Sequence, residues 1–301
     1  MNCVDRVLSN LASLQITKVH MSCRRAVSAL SGVWKVSPGP GLGPRGARLF
    51  TAESAKNPTD GDSDNNDNTL AYVSYENASL KDLSSPLIIQ HALFGRKENY
   101  TNLGRKIHHV TKRSVIIPDA RNHGNSPKCT NPSVKQMSSD LINLQTQLKI
   151  DKSCMLGFST GGRVAMMAAL MNPDNVDRLV ISSSSPLNTQ DALDRWDSFQ
   201  QSAYIVHTLL KSRGISSKSQ IVDTDYQLKL ELDEALKTTL KDSSERALFL
   251  SNLGKFKLKA MMNNPDMGRF PSVKEKIFNG PVLFITGKER LIPHLPCQLN
   301  I

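Results

Sequence analysis

The stretch that most limits what this chain can become runs from Cys154 to Met171. An apolar run, Cys154 to Leu156, leads into Gly157-Phe158-Ser159-Thr160-Gly161-Gly162, and Arg163 to Met171 then reads as a helix rich in Ala and Met. The predicted order is strand, tight turn, helix. A serine on so sharp a turn needs strained backbone, and side chains two residues to either side would collide with the neighbouring strand and helix. Glycine at 157 and 161 removes those collisions and presents the Ser159 hydroxyl at the head of a helix. Free N–H groups and the helix dipole favour developing negative charge there. The plain competing reading is a glycine-rich strand–helix turn with no chemistry, and Gly-x-Ser-x-Gly without its flanks does not separate the two.

Strand and helix signals alternate around this turn. Leu70 to Glu76 (LAYVSYE) alternates like a strand, and Pro86 to Gln90 is a short buried run followed at once by His91-Ala92-Leu93-Phe94-Gly95. Leu103, Ile107 and Val110 have helical spacing, and Ser114 to Ile117 is another buried strand. Asp119 to Pro127 (DARNHGNSP) makes a rigid loop. Val134, Met137, Leu141, Leu144 and Leu148 mark an amphipathic helix. Arg178 to Ile181 is one more strand. From Leu187 to about Pro271 the chain turns polar and helix-forming without a strand signal, and Pro281 to Gly287 resumes the apolar pattern. Strands alternating with helices at this interval predict an α/β fold, a mostly parallel sheet covered on both faces.

The net charge of +11 over 301 residues is unevenly placed. Residues 1–52 hold seven Lys and Arg against one acid, Asp5, a net +6 that leaves +5 for the rest. An Arg-rich, Ser-containing, acid-poor start matches a mitochondrial presequence, with Arg48-Leu49-Phe50 before Thr51 resembling a cleavage site and the matrix as destination. A merely basic tail is the alternative, and Met21 competes with Met1 as the start. The remaining charge lacks the basic stripes with interleaved aromatics of nucleic-acid surfaces. Residues 53–69 read as a polar linker. A calcium loop counted from Asp60 fails there, with Asn65 in place of the glycine and Ala71 in place of the glutamate. Cys3, Cys23, Cys129, Cys154 and Cys297 form no CxxC pair or metal-ligand spacing, which suits a reducing compartment. Cys154 reads as a small core residue. No apolar run approaches the roughly 20 residues that span a bilayer.

The pieces His91 to Gly95, DARNHGNSP at 119–127, GFSTGG at 157–162 and NPDNVDRLVISSSSP at 172–186 resemble the alpha/beta-hydrolase family, of the serine esterase and lipase type. The DARNHG-x-SP loop is the most specific piece, and the resemblance covers most of residues 70–290. It implies an alpha/beta-hydrolase core over 70–186, a helical lid inserted at 187–273 and a resumed core at 274–301. It implies hydrolysis of acyl esters, of the diacylglycerol type or a similar lipid, without metal or organic cofactor, and a role beside the 2-oxoglutarate dehydrogenase complex. It makes Ser159 the nucleophile of an acyl-enzyme, with the N–H groups of Leu93 and Thr160 as oxyanion hole. Asp119, Arg121 and His123 then brace the loop under the site, and His91 is a structural hydrogen-bonding histidine. His207 falls on a lid helix.

Three departures shape what to expect. Ala92 stands where the family usually has glycine, which predicts strained backbone there, and Phe158 replaces the usual histidine before the nucleophile. The family's catalytic histidine follows the last strand by tens of residues, whereas Ile301 lies 15 residues past Thr286. His294 is too near that strand to match, so the final strand, helix and histidine are expected to be missing from a truncated product. The family's acid aligns near Asn263, with Asp266 as the acid candidate and Glu289 as another substitute. The alternative function is a catalytically dead binding protein on the same fold.

Overall fold

A computed structural model describes residues 48–51, 69–76, 84–130, 132–216, 225–262, 264–273, 276–285 and 299–300. Its sheet is built from β1 (Arg48–Thr51), β2 (Tyr72–Glu76), β3 (Leu87–Gln90), β4 (Val115–Pro118), β5 (Ser153–Phe158), β6 (Val176–Ser182) and, after a two-residue β7 (Ile277–Phe278), β8 (Val282–Ile285). The order across the sheet is β1-β2-β4-β3-β5-β6-β8. β1 and β2 run antiparallel to their neighbours, and β4, β3, β5, β6 and β8 are mutually parallel. β7 pairs antiparallel with β9 (Leu299–Asn300).

Parallel strands need crossovers, and the apolar spacing supplies them as helices. These are α1 (Thr101–Thr111) between β3 and β4, α2 (Val134–Gln147) between β4 and β5, and α3 (Thr160–Met171) between β5 and β6. Alternate strand residues serve the two faces, as a period of two requires. Ile88, Ile116 and Met155 join the large core with α2 and α3, while Leu87, Ile89, Val115, Ile117 and Cys154 join Tyr100 and Leu103 at α1. Helix α3 is buried from Gly161 to Leu170 and apolar nearly all round, which is why Ala and Met dominate it. Ser133 starts α2 with a capping box: Gln136 N–H donates to its hydroxyl at 3.2 Å, and its own N–H donates to Gln136 Oε1 at 3.1 Å. Ser138 then ties α2 to α3 by donating to the Val164 carbonyl at 2.8 Å.

Between β6 and β7 stands the helical insertion: α4 (Gln190–Ser212), α5 (Tyr226–Leu236), α6 (Ser243–Ser251) and α7 (Leu258–Met262). No strand interrupts it among the described residues. No described helix is long and apolar enough to cross a membrane, and no described cluster of side chains could hold a metal ion.

Two sequence expectations change. Regular structure begins earlier than Leu70, because Arg48–Thr51 lies inside the expected presequence yet pairs with Val73–Glu76 at the sheet edge. In α1, Val110 is 51% exposed and His108 is buried instead, its ring stacked 6.2 Å from Tyr75 with Nδ1 donating to the Arg113 carbonyl. The helical spacing named the right element and, at Leu103 and Ile107, the right face; only Val110 falls outside it, since a histidine with a local acceptor can turn inward. The linker at 53–68, Met1 and Met21 lie outside the described residues.

Candidate active site

In open α/β sheets, ligands bind beyond the carboxyl ends of the strands, at the point where the chain switches direction across the sheet. Here the chain steps from β3 to β4 on one side, then returns to lay β5 on the other. The switch point lies between β3 and β5, and their carboxyl ends carry the His91 loop and Ser159.

Ser159 has φ 50° and ψ −117°, a left-handed backbone that costs a non-glycine residue on the order of 1–3 kcal/mol. Bonds on both sides hold it. Its N–H donates to the Ser182 carbonyl at 2.9 Å, and its own carbonyl accepts from Gly162 N–H at 2.9 Å. The glycines do what their spacing predicts. A Cβ on Gly157 would lie 2.4 Å from the Gly161 carbonyl oxygen, and one on Gly161 would lie 2.4 Å from the His91 carbonyl oxygen. The turn therefore lies directly against its own helix and against the end of β3. Ser159 is half-buried.

Leu93 and Thr160 line one narrow cavity with Gly161, Val164, His123 and Met267. Neither the Leu93 N–H nor the Thr160 N–H has an acceptor among the described residues. Ala92 does not have the positive φ expected where the family has glycine, so its methyl group imposes no left-handed strain. The loop is closed instead by Gly95 N–H donating to the Ala92 carbonyl at 2.9 Å, and the same carbonyl accepts from His91 Nδ1 at 2.8 Å. Phe94 plugs the loop into the insertion, its ring 4.5 Å from Phe249, 5.2 Å from Phe199 and 5.4 Å from Phe256. Phe158 turns to the other face, its ring centroid 4.7 Å from that of Tyr100 with the planes tilted by 35°.

His91 spends both ring nitrogens on backbone, because Nε2 accepts from Ala120 N–H at 2.9 Å. Burial lowers its pKa, so the ring stays neutral and joins β3 to the loop after β4. Asp119 anchors that loop. It accepts from Lys97 N–H at 2.7 Å, from Lys97 Nζ at 2.6 Å and from Asn125 N–H at 3.0 Å. Burial pushes the carboxyl's pKa up, but the Lys97 ammonium and the N–H groups of Lys97 and Asn125 outweigh it and hold the pKa below the ordinary value. Arg121 makes a two-point bond to Asp140 on α2, with both contacts at 2.6 Å. His123 donates from Nδ1 to the Arg121 carbonyl at 2.9 Å, and burial pushes its pKa down to about 3. The bracing expected of Asp119, Arg121 and His123 is thus present in the bonds. Lys97 and Asp140, the partners that make it work, carry no local motif. Only their position 22 and 19 residues away in the chain, brought close by the fold, assigns them.

The remaining candidates are scattered. Asp266 is exposed on a short 3-10 turn; its N–H donates to Asn264 Oδ1 at 3.0 Å, and its carboxylate bonds to neither Ser159 nor a histidine among the described residues. None of the described histidines bonds to the Ser159 hydroxyl. His207 is half-buried on α4, and Asn263, Glu289 and His294 lie outside the described residues. Cys154 is buried as expected, its thiol pKa raised by burial.

A family model described as alpha/beta hydrolase fold matches residues 85–293. The sn-1-specific diacylglycerol lipase ABHD11 of Xenopus laevis is 32% identical over 72% of this chain and 68% of that protein. The Mus musculus lipase of the same name is 30% identical over 67% of this chain and 64% of its own length. The chain thus spans about two thirds of the length of these relatives. Among solved structures, a marine microorganism esterase superposes with a TM-score of 0.57 at 20% identity, over 73% of this chain and 81% of the other, a likeness of fold. With sheet order, glycine-held serine turn and sequence matches all in agreement, the chain belongs to the alpha/beta-hydrolase family, among relatives named as lipases and esterases.

Proposed function

We propose that the protein is a serine ester hydrolase acting on acyl esters of the diacylglycerol type, with Ser159 as its nucleophile. The observation that carries this reading is a strained, half-buried serine at the switch point of the sheet, next in the chain to Thr160, which lines one cavity with Leu93 and, like it, has an acceptor-free N–H. Attack of the Ser159 oxygen on an ester carbonyl would place the developing oxyanion against those donors, and the alcohol would leave an acyl-enzyme for water to hydrolyse. The donors are backbone groups fixed by the fold, so they need no reorganisation as charge develops. Losing one such donor typically costs about 100- to 1000-fold in rate. The lipid substrate is inferred from the names of the relatives.

A fluorophosphonate probe tests this reading on the full chain. Labelling of the native protein that disappears in Ser159→Ala supports the nucleophile, and absence of labelling in folded protein defeats it. The second reading, a non-catalytic acyl-binding protein, is favoured by one observation, the lack of a described histidine bonded to Ser159. It predicts no labelling but retained binding of a fluorescent fatty acid. We also infer mitochondrial-matrix residence from the acid-poor residues 1–52, testable by import into isolated mitochondria. Partnership with the 2-oxoglutarate dehydrogenase complex rests on the family resemblance, and co-purification from matrix extracts tests it.

A further inference from the structure

Arg163 lies four residues after Ser159 on α3, and its side chain is buried. Among the described residues it has no carboxylate partner. Its Nη1 donates instead to the Gly268 carbonyl, and its Nη2 donates to the Leu187 carbonyl at 3.3 Å. Those two carbonyls belong to the two stalks of the helical insertion, one just before α4 and one after α7. Asn188 closes the same base, donating from Nδ2 to the Phe270 carbonyl at 2.9 Å and accepting Phe270 N–H on Oδ1 at 2.7 Å. Gly268 cannot carry a side chain here, because its Cβ would lie 2.1 Å from Cγ of Trp196, the first buried aromatic of α4. The residue before Gly268 is Met267, which lines the cavity shared by Leu93 and Thr160.

A buried guanidinium facing only dipoles is costly, and burial lowers the Arg163 pKa. What it provides is geometric. A planar fork can hold two carbonyls from separate chain segments at once, whereas an ammonium in the same place has one point charge to share. We propose that Arg163 is a positioning residue that locks both stalks of the insertion to the nucleophile-bearing helix, holding Met267 against the cavity and so setting which acyl chains fit. The acyl-chain part rests on the ester-hydrolase reading; the lock does not.

Hydrogen–deuterium exchange on the full chain measures the lock without any activity. Arg163→Met should raise exchange at residues 187–189 and 266–270 about tenfold, in line with losing bonds to a charged donor, while α2 and β4 stay protected. Arg163→Lys should fall between the two, and serves alone if Arg163→Met does not fold. Unchanged exchange at both stalks in either folded variant overturns the proposal. Initial rates on p-nitrophenyl esters from acetate to dodecanoate then read the acyl wall. Arg163→Lys should shift the ratio of long- to short-chain kcat/KM about fivefold or more, while Ser159 still labels with fluorophosphonate. An unshifted ratio in labelling protein removes the acyl-chain part, whereas wild type that fails to label removes the hydrolase reading and leaves the exchange result standing.

Discussion

The turn after β5 and the loop after β4 flank the same strand, β3, yet they are held by opposite means. The Ser159 turn is positioned by missing side chains: Gly157 and Gly161 let backbone touch backbone, and Gly161 comes up against the carbonyl of His91. The Asp119 loop is positioned by charge, through Lys97 on one side and the Arg121–Asp140 pair beside it. His91 touches both, presenting its carbonyl to Gly161 and its Nε2 to Ala120 N–H. Steric positioning is indifferent to pH and salt, whereas a polar brace is only as good as the protonation states behind it. Ser159, the proposed nucleophile, therefore sits on the insensitive element, and the Asp119 loop carries the sensitivity to solution conditions.

The largest expected effect breaks the steric half. Gly161→Ala places a methyl group against two backbone carbonyls that cannot swing aside, and should cost about 3 kcal/mol of stability, read as a lowered urea midpoint at unchanged slope. A wild-type midpoint would show that the turn has slack. Next is the polar half. Asp119→Asn leaves the Lys97 ammonium facing a neutral group and should cost about 2 kcal/mol. Glu98 at 3.1 Å from Lys97 Nζ softens the loss. Adding Lys97→Met should recover part of it; simple additivity in this double-mutant cycle would mean the pair is not coupled.

The smallest effect sharpens the contrast by pH. His123 has its pKa pushed down from 6.5 to about 3 in the fold. The unfolded chain therefore binds a proton that the native ring refuses. Stability is full above the unfolded value and falls as pH drops from 6.5 towards about 3. The loss should reach about 1 kcal/mol near pH 5.5 from this ring alone. Asp119, with its pKa held down, works in the same direction at still lower pH. Replacing His123 with Phe should flatten the slope of stability against pH between about 6.5 and 5. Equal slopes in both proteins would show that the ring is not kept neutral by the fold.

Much of this was legible because it is local. Strand, turn and helix around Ser159 follow from an apolar run, three glycines and an Ala/Met-rich segment, all within eighteen residues of one another. The alternation over 70–76 and the apolar runs at 86–90, 114–117 and 178–181 each mark a strand that the fold contains, and the amphipathic spacing from Val134 placed α2. Locality also explains the misses. Val110 and His108 are neighbours on one helix, and only the presence of Tyr75 and the Arg113 carbonyl decides which turns inward. Strain expected at Ala92 is absent because the loop closes through Gly95 and His91, a choice the dipeptide does not encode.

By itself, then, the sequence determined the alternation of elements, the sharp turn at Ser159 and the need for glycine on both sides of it. These follow from backbone sterics and side-chain periodicity, which act over a few residues. Only the tertiary structure decided that Lys97 meets Asp119, that Arg121 meets Asp140, and that Arg163 grips the Leu187 and Gly268 carbonyls. Ion pairs and buried cations choose partners by proximity in space. That proximity exists only after the sheet has brought together the ends of strands distant in the chain.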